Sequence, residues 1–146
     1  DALADLDFVI AGIHSHFKMP DDEMTKRVIR ALRNPHVDIL SHPTGRLLKR
    51  RDAYAVNIGE ILEVAAKTGT ALEINAWHER LDLNDENIRR ARDAGIDMVV
   101  SSDAHRLDQL ETVAFGVAQA RRGWAEKKHI LNAFPAETLL RRFQKA

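Results

Sequence analysis

Residues 97–105 read DMVVSSDAH. A short apolar, β-branched run from Asp97 to Val100 gives way at once to Ser101, Ser102, Asp103 and His105, as when a buried strand delivers polar side chains at its carboxyl end. In an extended Asp-x-His step both side chains fall on the same side, so Asp103 and His105 can serve one site. Three earlier stretches have the same form. Asp7 to Ile13 (DFVIAGI) runs into His14-Ser15-His16, Val37 to Leu40 (VDIL) into Ser41-His42-Pro43, and Ala71 to Ile74 (ALEI) contains Glu73 and is followed by Asn75. From His14 to His42, Glu73 and Asp103 the steps are 28, 31 and 30 residues, close to one βα unit each.

The intervening segments have helical period. Pro20, Asp21 and Asp22 open a helix with Met24, Val28, Ile29 and Leu32 on one face, and Asn34 and Pro35 stop it. Ile58, Ile61, Leu62 and Ala65 form the next stripe, with Gly69 as its C-cap. A third helix starts at an Asn84 cap, turns Ile88 and Ala91 inward and ends at Gly95; two more fall near Leu110 to Arg121 and Pro135 to Phe143. Strands alternating with helices specify an α/β fold with a parallel sheet. Its carboxyl edge, where active sites gather, then collects the polar residues that follow each strand.

Composition narrows the chemistry. The 146 residues carry 22 Lys plus Arg against 22 Asp plus Glu, with 45% hydrophobic and 30% charged residues, which describes one globular domain able to bury a core. No apolar run approaches the roughly 20 residues that span a bilayer, and DALADLDFVI lacks the basic start of a signal peptide, so a cytoplasmic protein without a membrane role is expected. The absence of cysteine excludes disulfides, thiolate metal sites and thiol nucleophiles, leaving metal chemistry to His and carboxylates. A neutral chain is no general polyanion binder but can carry a local basic patch.

His14, His42, Asp103 and His105 make a first shell suited to Zn²⁺, Mn²⁺ or Fe²⁺. A lone strand-end His is more often a hydrogen-bonded structural residue, and Asp-x-His steps arise by chance; their placement together at matching strand ends carries the argument. His16 is a further ligand or a substrate contact. His36, before a strand, belongs to the opposite edge, while His78 and His129 read as solvated. Glu73 is a ligand, a residue supporting the ligands, or the partner of a neighbouring helix. Arg46, Lys49, Arg50 and Arg51 follow His42 directly; they are an ordinary charged loop, or Arg46 meets a phosphate at the metals and the others a nucleic-acid backbone. Trp77 and Trp124 offer rings for base stacking, although Trp124 beside Gly123 reads as an anchor for helix packing.

The strings VIAGIHSHF, DILSHPTGRLL, LEINAWHERLDL and VVSSDAH, followed by LDQLETVAFGVAQARRGW, resemble the polymerase and histidinol phosphatase (PHP) domain. They look most like the C-terminal PHP domain of bacterial and archaeal family X DNA polymerases, and the likeness extends over essentially the whole chain. It implies a distorted seven-stranded (β/α) barrel with up to three metal ions at its carboxyl end. The ligands it implies are His14, His42, Asp103 and His105, with Arg46 and Arg80 on the substrate side. Such a domain begins with an H-x-H motif, two more histidines' worth of ligands and a metal-bridging Glu, all before the position of His14. Residues 1–146 therefore correspond to the later half of the barrel, without its N-terminal strands and first metal motifs, and Glu73 does not fill the bridging Glu's place. Partial metal occupancy is expected of these residues alone.

The resemblance implies a metal-dependent phosphoesterase acting on DNA 3′ ends or single strands, by 3′–5′ exonuclease or end-processing activity in DNA repair, beside an upstream polymerase domain of the same protein. Divalent Zn or Mn ions and Arg46 would stabilise charge on the phosphoryl oxygens, with Asp103 and His105 in the catalytic centre. A histidinol-phosphatase-type enzyme would use the same metals on a small phosphomonoester. The alternative without catalysis is an incomplete PHP module serving structure or interaction.

Overall fold

A computed structural model describes residues 2–143. Its elements follow the alternation in the sequence: β1 (Ile10–Ala11), α1 (Asp21–Leu32), β2 (Ile39–Leu40), α2 (Ile58–Thr68), β3 (Ala71–Asn75), α3 (Asp85–Asp93), β4 (Met98–Ser101), α4 (Val113–Arg122) and α5 (Ala136–Phe143). A 3-10 segment, Leu107–Thr112, leads into α4. The four strands are parallel and lie in sequence order, β1-β2-β3-β4. Each βα unit thus adds one strand beside the last, the arrangement of part of a (β/α) barrel.

Local chemistry places the helices. Three carboxylates, Asp21, Asp22 and Glu23, sit in the first turn of α1, where they complement the helix dipole, and Met24, Val28 and Leu32 are buried along one stripe. Asn57 and Asn84 cap α2 and α3 by accepting the amides of Glu60 and Asn87, and Gly69 closes α2. On the face of the sheet covered by these helices and α4, Leu40, Leu72, Ile74, Met98 and Val100 form the main core with Ile61, Ala65 and Ile88. The opposite face is thinner: Ile39, Ala71 and Val99 pack with Leu131 and Phe143.

The register makes that thinner face chemically layered. Ile39 pairs with Ala71, and Glu73 with Val99. One step of two residues toward the carboxyl edge replaces this apolar layer by Ser41, Glu73 and Ser101. All five residues of β3 are buried, so a carboxylate lies in the middle of the sheet.

Two strands are shorter than their sequence patterns: β2 takes only Ile39–Leu40 of the run Val37 to Leu40, and β1 is cut further. The run Asp7–Ile13 reads as a full strand, but only Ile10 and Ala11 pair, and Ile10 is 53% exposed. With β2 as its one strand neighbour among the described residues, β1 has a single ladder to extend. Just before it the Val9 amide is taken by the Asp38 carboxylate at 2.8 Å.

Candidate active site

The parallel sheet puts His14, His42, Asp103 and His105 beyond the carboxyl ends of β1, β2 and β4, on one edge of the molecule. Beneath them Glu73 joins three strands. One of its oxygens accepts the Ser41 hydroxyl at 2.7 Å, the His42 amide at 2.6 Å and the Asn75 side-chain amide at 3.2 Å; the other accepts the Ser101 hydroxyl. A buried carboxylate tolerates its position when it is hydrogen-bonded, and here both oxygens have partners. Glu73 thereby fixes the backbone from which His42 departs.

His42 is 3% exposed and turns out of the strand at φ +31°. Its ring meets the edge of the His14 ring at 4.9 Å and 86°. Both rings converge above Gly12, where a methyl group would lie 3.0 Å from His14 Nε2 and 3.3 Å from His42 Nε2. Only the smallest residue leaves that space open. Burial lowers the His42 pKa below its ordinary value, and the charges of Arg80 and His14 lower it further against the pull of Glu73. The neutral imidazole, which is the metal-binding form, is therefore favoured. Its buried Nδ1 has no hydrogen-bond partner.

Two strand-end loops grip one another around this histidine. From the loop after β3, Asp82 accepts the amides of Thr44 at 3.0 Å and Gly45 at 2.8 Å. In return Arg46, from the loop after β2, donates to the carbonyls of Arg80 at 2.8 Å and Leu81. Arg50 adds an ion pair to Glu79 at 3.1 Å, and the Tyr54 hydroxyl donates to the Pro43 carbonyl at 2.7 Å. Gly45, at φ +62°, lies so close to the Tyr54 ring that a methyl there would clash at 2.4 Å. Asp82 is wholly buried, and desolvation pushes its pKa up to about 6 although two amides and Arg46 favour the charge. Sequence reasoning overlooked Asp82: an Asp in RLDL carries no local mark of burial, and its partners lie 37 and 38 residues away.

The remaining residues are arranged more loosely. Arg80 Nε donates to Asp103 Oδ2 at 3.2 Å, while its buried Nη1 lacks a partner. Asp103 leaves β4 at φ +54°, and the exposed His105 ring turns back with Nδ1 2.9 Å from the Asp103 carbonyl. His16 is exposed at φ +58°. The structure therefore brings His14 to His42 and Arg80 to Asp103, and leaves His16 and His105 at the rim. Arg46 is engaged with backbone below. Among the described residues, no three His, Asp or Glu side chains form a group that could hold a metal ion. Trp124 departs from its expected packing role: it is 59% exposed, with Arg89 against its ring at 3.7 Å.

No family model matches the chain. The DNA polymerase/3′-5′ exonuclease PolX of Bacillus subtilis (strain 168) is 48% identical over 133 residues, covering 91% of this chain and 23% of that protein. A probable phosphatase of Thermoanaerobacter pseudethanolicus is 33% identical over 112 residues, 70% of this chain and 43% of the relative. A probable phosphatase of Shewanella sediminis is 32% identical over 148 residues, 96% of this chain and 57% of the relative. The chain thus spans between 23% and 57% of these relatives. The likeness to both a PolX and the probable phosphatases accords with the resemblance to the PHP domain that the strand-end motifs and the parallel βα architecture carry.

Proposed function

We propose that this chain is the phosphoesterase part of a PolX-like protein, hydrolysing phosphodiester bonds at DNA 3′ ends with the help of divalent metal ions. The observation that carries the reading is the convergence of His14 and His42 over Gly12, next to Arg80, at the carboxyl edge. The donor chemistry fits part of a metal centre: two imidazoles whose Nε2 atoms converge above Gly12. His14 and His42 would hold Zn²⁺ or Mn²⁺, with Asp103 and His105 as ligands on the adjoining strand end. A bound metal supplies Lewis-acid polarisation of a phosphoryl oxygen.

The chain's own groups do the rest. Glu73 orients His42 through its backbone and His42 stays neutral at neutral pH. Arg80, held by Asp103, presents a fixed cation that draws a phosphoryl group to the site. Arg46 acts on the same substrate by holding the Arg80 loop, and His16 meets it from the rim. DNA as partner and a polymerase domain in the same protein are carried over from the PolX relative's name. Among the described residues no helix is long and apolar enough to cross a membrane. On the likeness to a DNA-processing relative we place the protein in the cytoplasm.

A 5′-labelled single strand incubated with the full-length protein and Mn²⁺ should shorten stepwise from its 3′ end. Asp103→Asn, which keeps the shape and removes a negative charge, should abolish that ladder. A ladder unchanged in the variant refutes the assignment. The relatives called probable phosphatases favour a second reading, a small-molecule phosphatase. Hydrolysis of histidinol phosphate with an intact DNA strand would establish it.

A further inference from the structure

We infer that the cleft beside the clasped loops binds the phosphodiester backbone of a single DNA strand leading to His42. This rests on the phosphoesterase reading and adds the surface that would present the polymer. The cleft encloses about 570 Å³, the size of a ligand-binding cleft and too small for a duplex. Its floor begins at Thr44, two residues from His42, and one wall is the loop carrying Arg46, Lys49, Arg50 and Arg51. The opposite wall includes Asn84 and Asn87 at the start of α3.

Its charge is unusual for this molecule. The chain as a whole is neutral, yet four cations and one carboxylate, Asp52, line this cleft. How those cations are held matters more than their number. Arg46 and Arg51 donate to backbone carbonyls, Arg51 to Gly45 at 2.7 Å, so both are fixed in place, Arg46 with the Asp82 carboxylate near it. Lys49 has no ion-pair partner among the described residues. Arg50 is paired with Glu79 but keeps 67% of its side chain exposed. Asn84 and Asn87 use their carbonyl oxygens on the Asn87 amide and on Arg90, leaving their NH₂ groups as donors. Fixed cations plus neutral donors along a concave wall suit a repeating anion read without regard to sequence. Leu48, 37% exposed at the same cleft, offers an apolar contact for sugar or base.

The test uses fluorescence anisotropy of labelled oligodeoxythymidylate with the full-length protein over a range of salt concentrations. Lys49 sits at φ +63°, a conformation asparagine accepts, so Lys49→Asn removes one charge while respecting the backbone. Binding should weaken several-fold, and the slope of log affinity against log salt should become shallower by about 0.7 for the cation lost. Hydrolysis of para-nitrophenyl phosphate, which does not reach the cleft, should be unchanged. Lys67→Gln, at the far end of α2, serves as the charge-matched control and should leave both readouts alone. An unchanged salt slope in Lys49→Asn overturns the proposal, as does equal weakening by Lys67→Gln. Loss of para-nitrophenyl phosphate hydrolysis in Lys49→Asn also overturns it, because the loop would then be acting on the reacting centre. Binding with the predicted slope but no hydrolysis of any phosphoester by the unaltered protein would leave the cleft standing and refute the phosphoesterase reading.

Discussion

The two halves of the carboxyl edge are built differently. Around β2 and β3, Glu73, Asp82 and Arg46 bind strand ends and loops into one network of buried hydrogen bonds, which leaves His42 Nδ1, Thr44 Oγ1 and Asp82 Oδ1 without partners. Around β1 and β4, His14 and His16 are exposed, His105 rests on its own backbone, and Asp103 relies on Arg80. The central half is set by the fold, because burying these polar groups requires partners irrespective of any ligand. The outer half has room to move. This difference divides the residues into those whose loss should be felt in stability and those whose loss should be felt in chemistry.

The largest stability effect should come from Asp82→Ala. It strands the amides of Thr44 and Gly45 in the interior, a loss on the order of 3 kcal/mol by chemical denaturation. Asp82→Asn sharpens the point. It retains an acceptor for the two amides and puts NH₂ where Asp82 Oδ1 now lacks a partner. The folded pKa of Asp82 is raised from 3.8 to about 6, so its contribution favours the fold below pH 3.8 and is lost as pH rises through 6. Asp82→Asn should remove that part of the pH dependence and be at least as stable as the parent protein at pH 7. Equal destabilisation by Ala and Asn would mean the clasp does not depend on acceptance by this side chain.

Arg46→Lys should come next, at about 1–2 kcal/mol, because an ammonium cannot reproduce the guanidinium's spread onto the Arg80 and Leu81 carbonyls. Hydrolysis should fall with it while metal content holds, since the Arg80 loop loses its support. Gly12→Ala is a smaller perturbation of the fold, but its methyl group enters the space between the two imidazoles. It should reduce metal content with little change in denaturation midpoint. At the small end, His105→Ala should alter stability by less than about 0.5 kcal/mol, as expected of an exposed side chain. A loss comparable to that of Asp82→Ala would erase the contrast between the halves.

The parallel βα order, the helix caps and the strand-end position of every candidate residue were legible because they follow from local period and turn chemistry. The Asn57 and Asn84 caps show how far such rules reach: each needs only residues within one turn. The clasp was illegible for the opposite reason. Nothing near Asp82 indicates that its acceptors' partners arrive from the preceding βα unit, and Arg46 looks identical in sequence whether it faces a phosphate or two carbonyls. The β1 run misled by length, since apolar alternation reports what a strand can bury, while pairing depends on a neighbour.

The central claim is that the histidines above Gly12 hold a metal that the phosphoester reaction needs. The most direct measurement is metal content and single-strand hydrolysis measured together on the full-length protein and its His42→Ala variant, with folding checked by circular dichroism. The account predicts that the folded variant loses metal and hydrolysis in parallel, and that added Mn²⁺ does not restore turnover. A folded variant that keeps the parent's metal content and hydrolysis would contradict it.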